Sequence, residues 1–192
     1  MPMDDAIANR GRALEDDYFR KKDQEPVERM RRAAAEADAR EGLSARTGLD
    51  DPEMLQELSA LGFTPDTVGL LPLLPLVQVA WAEGGVTELE RRTVNTLARA
   101  RGIAEGSLAD RQLAEWLTTR PAEQVFARAT RLIAAMLEAQ GSEPGALTAD
   151  DLVKYCEKIA GASGGVFGIK KISDDERALI AALAAGLKTR HG

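Results

Sequence analysis

From Asp50 onward, apolar residues return at helical spacing in one segment after another. Leu55, Leu58 and Leu61 keep that period, and so do Leu113, Trp116 and Leu117. The longest regular face combines Val125, Phe126, Ala129, Leu132, Ile133, Met136 and Leu137, followed by Leu152, Val153, Cys156 and Ile159, then Leu179, Ile180, Leu183 and Leu187. Each set marks a helix with one side turned to a core. The stretch Leu70 to Ile103 organises the rest: an apolar segment broken by Pro72 and Pro75, an acidic Gly-Gly turn, and an amphipathic helix. Its piece Leu76 to Ala82 is apolar all round, the pattern of a helix covered by neighbours.

Residues 5–42 differ in kind. They are charged and nearly balanced, with Glu25/Arg29, Glu28/Arg32 and Glu36/Arg40 at i,i+4 in the favourable acid-first order. Leu14, Tyr18, Phe19, Val27 and Met30 are too sparse to build a core, so this is a solvated helical arm. Pro26 predicts a break near Gln24 and Glu25, and hence two helical pieces. Gly42 to Gly48, with Ser44 and Thr47, has no period and is expected to be a linker. The expected division is an arm and linker at 1–49 and a helical bundle at 50–192.

Start signals fit this division. Asp51-Pro52 and Thr64-Pro65 place a cap residue before a proline at the first helical position, and Ser107, Pro121 and Thr148 open further helices. Thr87-Glu88-Leu89-Glu90 and Ser173-Asp174-Asp175-Glu176 are capping boxes, in which the hydroxyl serves the N3 amide and the N3 glutamate reaches back to the cap amide. Each follows a Gly-Gly turn, so the pattern of the first half recurs near the C-terminus.

Composition narrows the class to all-α, because 44% of residues are hydrophobic but only 4% aromatic, and straight-chain helix formers dominate. With 31 acidic against 25 basic residues, the net charge of −6 leaves no surplus of cations for a nucleic-acid backbone. A lone Cys156 and the penultimate His191 supply neither a disulfide nor a zinc set, which suits a reducing cytoplasm. The polar start MPMDDAIANRGR is not a secretory signal. Val68 to Ala82 falls short of the roughly 20 apolar residues a membrane span needs.

Candidate chemistry centres on the two acidic turns. Glu83, Glu88 and Glu90 crowd the first, and Asp174, Asp175 and Glu176 the second. Brought together, Glu83, Glu90, Asp174 and Glu176 could offer oxygen ligands to a hard cation such as Ca²⁺ or Mg²⁺. Carboxylates in a first helical turn are also favoured by capping and the helix dipole with no metal present. GASGGVFGIKK lacks the Gly-Lys-Ser/Thr ending and preceding strand of a phosphate loop, and is expected to be an elbow. Cys156 lies on an apolar face as a structural thiol, and Trp81 and Trp116 are expected in the core. No nucleophile–base set or cofactor fingerprint stands out, so the chain is read as a non-enzyme. Tyr18 and Phe19, the arm's largest apolar groups, are the candidate anchors for a protein partner.

Ala80-Trp81-Ala82-Glu83-Gly84-Gly85-Val86-Thr87-Glu88-Leu89-Glu90, with apolar helices on either side, resembles the signature of TerB-like domains, named for tellurite-resistance proteins. Ala162 to Glu176, ASGGVFGIKKISDDE, resembles that family's second half-motif. The resemblance covers roughly Asp66 to Lys188. It implies a helical bundle with a pseudo-repeat, divalent-metal binding at the two turns, and a non-catalytic stress-response role among protein partners, often near a membrane without insertion. Where the family usually has Asp-Gly, this chain has Glu83-Gly84 and Ser163-Gly164. The alternative is a regulatory adaptor whose working part is the N-terminal arm.

Overall fold

The computed structural model describes residues 26–141, 146–162 and 172–188. Their regular structure is all helical, with no strand among them, in keeping with the all-α expectation. None of the described helices is long and apolar enough to cross a membrane. The chain divides into two compact units, Met1–Glu41 and Gly42–Gly192.

In the first unit the described residues, 26–41, belong to a helix, α1, that runs over 26–47. Pro26 is its first described residue. The expected break before it, and the first helical piece, lie outside the described residues. Val27 and Met30 are exposed. Glu28/Arg32 and Glu36/Arg40 share a helix face but close no ion pair, as suits side chains free to move in water.

The second unit corrects the linker expectation, because α1 continues through 47. Leu43 is fully buried, and the Thr47 hydroxyl, also buried, donates to the Leu43 carbonyl at 2.8 Å. Gly42 is there for closeness: a Cβ on it would meet Pro65 Cγ at 2.6 Å. The helix ends at Gly48, whose φ of 75° suits a residue without a side chain and whose amide returns to the Ser44 carbonyl at 2.8 Å.

Asp51 then caps α2 (Pro52–Ala60), accepting from the Glu53 amide at 2.8 Å. After Thr64-Pro65 the chain makes turns and a 3₁₀ segment, Val68–Leu73, before α3 (Leu74–Ala80). Pro72 and Pro75 explain the division, since neither can donate to an i→i−4 ladder and Pro75 falls in the first turn of α3. The remaining helices are α4 (Glu88–Ala100), α5 (Leu108–Trp116), α6 (Glu123–Gln140), α7 (Ala149–Ala160) and α8 (Asp174–Lys188).

Short α3, apolar but for Gln78, is the hub. It packs against α4, α6, α7, α8 and the 3₁₀ segment, and Leu74, Leu76, Val77 and Val79 are wholly buried. Emptying one of its leucine sites should cost about 2–5 kcal/mol. Around it α7 packs on α4 and α8, and α8 on α6. That last approach is close: a Cβ on Gly186 would meet Thr130 Cγ2 at 2.8 Å. Polar ties lock the periphery. Trp81 Nε1–H donates to the Trp116 carbonyl and Arg91 to the Leu117 carbonyl, each at 2.8 Å, which satisfies the C-terminal end of α5. Glu57 of α2 receives Arg131 and Arg128 of α6.

Candidate functional site: the two capped turns

The first turn follows from local rules. α3 ends at Trp81, the chain reverses through Gly84 at a φ of 89°, and Thr87 in extended conformation opens α4. Both halves of the capping box form. The Thr87 amide and hydroxyl donate to Glu90 Oε2 at 2.7 and 2.8 Å, and Thr87 Oγ1 accepts from the Glu90 amide at 3.3 Å. The second turn is built alike at its described end: the Ser173 amide donates to Glu176 Oε2 at 2.8 Å and the Glu176 amide to Ser173 Oγ at 3.2 Å. The Gly-rich elbow before it, 163–171, lies outside the described residues, and with it Ser163-Gly164.

What spacing could not show is burial. Glu90 is 2% exposed and Glu176 is fully buried, although both are carboxylic acids. They also feel each other. Burial pushes the Glu90 carboxyl above its ordinary range, hydrogen bonds from Thr87 pull it back, and the charges of Glu176 and Glu83 push it up again. Of the four residues singled out as metal ligands, Glu83 and Glu176 thus both act on the Glu90 carboxyl. Glu83 is on the exposed rim and the two N3 glutamates lie beneath.

Asp174 does not join them. Its side chain is 97% exposed and pairs with Arg177 at 2.8 Å. Two residues along a helix are a turn of about 200°, so Asp174 and Glu176 point to different sides. Glu88 is likewise exposed and holds Arg92 at 2.9 Å. Among the described residues no three His, Cys, Asp or Glu side chains are grouped so as to hold a metal ion.

Cys156 is buried on α7, and its thiol is pushed up to about 12 by that burial, with Glu157 adding to the effect. Such a thiol stays protonated and is a poor nucleophile. Trp81 and Trp116 pack against the core with part of each ring exposed, and Phe63 meets Trp116 edge to face at 6.0 Å. Tyr18, Phe19 and His191 lie outside the described residues. The sequence reading passed over Arg46 and Arg101, because a basic residue at a helix C-terminus reads as a partner of the dipole. In comparisons with protein-family models, with curated proteins and with solved structures, nothing matches this chain.

Proposed function

We propose that this chain is a non-catalytic, TerB-like interaction module that serves a stress response in the cytoplasm by engaging a protein partner. The observation that supports it is the meeting of the two capped turns. The motifs behind the resemblance lie far apart in the sequence, yet their N3 glutamates are both buried and within range of each other. A pseudo-repeat, in which two equivalent turns come to one end of a bundle, accounts for that arrangement.

A second reading, in which the acidic end holds Ca²⁺ or Mg²⁺, rests on the closeness of Glu83 and Glu176 to Glu90. Against it stand the outward-facing Asp174 and the capping duties of Glu90 and Glu176. Scanning calorimetry with and without millimolar Ca²⁺ or Mg²⁺ separates the two. A bound cation at 100 times its dissociation constant would add roughly 2.7 kcal/mol, a gain that Glu83→Gln would reduce. The non-metal reading expects no rise in melting temperature.

The adaptor alternative places the partner contact on the arm, with Tyr18 and Phe19 as anchors. Val27 and Met30, exposed on α1, extend its apolar surface. A pulldown comparing the full chain with one beginning at Gly42 tests this. Capture that survives the truncation supports the bundle as the binding element, whereas capture lost with intact melting transfers the function to the arm.

A further inference from the structure

Away from the acidic turns, three helices end around one notch of about 180 Å³, a space lined by the last turn of α1, the 3₁₀ segment, the end of α4 and the last turns of α6. Its floor is apolar and includes the buried Leu73 and Met136, with Gly69 contributing no side chain. Of its polar residues, Thr47 gives its hydroxyl to the Leu43 carbonyl, and the others are Arg46, Arg101 and Gln140.

Those three share a property. Among the described residues, neither guanidinium has a carboxylate within ion-pair distance or a hydrogen bond, and the Gln140 amide makes none either. Every other described arginine of this unit, Arg91 through Arg177, pairs with a carboxylate or donates to a backbone carbonyl. In a chain with a net charge of −6, two unpaired cations lining one hollow stand out. Asp151 feels Arg101, but only as the weakest of the influences on it. Helix C-termini account for a basic residue at each place. They do not account for an apolar floor between two such residues, the arrangement by which small-ligand sites bury a body and fix a head.

We infer that the notch bounded by Arg46, Arg101 and Gln140 binds a small organic carboxylate, its compact apolar body on Leu73 and Met136 and its carboxylate held by the two guanidiniums. Arginine is suited to this because its planar fork matches a carboxylate, and Gln140 can add an amide donor. The size agrees, since a cavity of about 150 Å³ accepts a benzene ring.

The test is isothermal titration of the full chain with benzoate at low ionic strength, with benzyl alcohol and inorganic phosphate as comparators. One benzoate per chain should bind, and Arg46→Gln or Arg101→Gln should each weaken it roughly tenfold, the value of one charged hydrogen bond. Both arginines are exposed, so the variants should melt close to the parent. Equal affinity for phosphate would show a mere anion patch, and equal affinity for benzyl alcohol a mere apolar hollow. Either result overturns the inference, as does binding unchanged by both substitutions, or no heat up to about 10 mM benzoate, beyond the millimolar range of a weak specific site.

Discussion

The starts of α4 and α7 are the same device in two surroundings. At α7 the Thr148 amide and hydroxyl donate to Asp151 Oδ2 at 3.2 and 2.6 Å, and Thr148 Oγ1 accepts from the Asp151 amide at 3.1 Å. That is the pattern of Thr87 and Glu90, bond for bond. Yet the two acids shift in opposite directions. Asp151 is held below its ordinary 3.8, first by the Thr148 hydroxyl and then by the Thr148 amide. Glu90 is raised above 4.5, because burial outweighs the same bonds and Glu176 and Glu83 add repulsion. Identical hydrogen bonding thus stabilises the charge in one place and fails to do so in the other, and the solvent around the carboxyl decides which.

Truncating the acids should give the largest contrast. Glu90→Ala empties a buried site and removes the partner of the Thr87 amide, and should cost about 1–3 kcal/mol at pH 7 by urea unfolding. Equal losses from Glu90→Ala and Asp151→Ala would break the comparison.

The pH dependence comes next. A carboxyl raised in the folded state keeps its proton where the unfolded chain has released it, so Glu90's contribution is greatest below 4.5 and declines as pH rises through its folded pKa. Asp151 runs the other way: its contribution is present above 3.8 and is lost as pH falls through its lowered folded pKa. Unfolding free energies should therefore fall less between pH 4.5 and 7 in Glu90→Gln than in the parent. Asp151→Asn should remove part of the acid loss below pH 3.8. A parent profile unaltered by either substitution would contradict both shifts.

The smallest effect belongs to the exposed cap. Asp151→Ala frees an amide and a hydroxyl that water can serve, so its melting temperature should drop measurably less than that of Glu90→Ala. A drop as large as that of Glu90→Ala would mean that solvent exposure does not decide the contribution of a cap.

Features that depend on neighbours in the chain were legible beforehand. The caps at Asp51, Thr87, Ser107, Thr148 and Ser173 stand where spacing placed them, because a hydroxyl or carboxylate and the amide it serves lie two or three residues apart. Features that depend on distant residues were not. Gly42 reads as a breaker until Pro65 is seen against it, and Leu43 reads as a stray apolar residue in a linker until its burial is known. At the acidic end, counting charge in each turn picked out Asp174 together with Glu176, whereas their places on the helix send one to solvent and the other inside. Which helix starts come together is set by how α4 and α8 lie on α3 and α7, information no single turn contains.

The clamp at the end of α5 also makes the protein its own optical reporter. The chain has two tryptophans, and Trp81 donates to the backbone of the other, with Phe63 set edge-on to the Trp116 ring. Tryptophan fluorescence, excited selectively over tyrosine, therefore samples that one junction. If that junction opens before the core does, emission will redden at lower urea than the helical circular dichroism decays, and the gap between the two midpoints measures how independently α5 detaches.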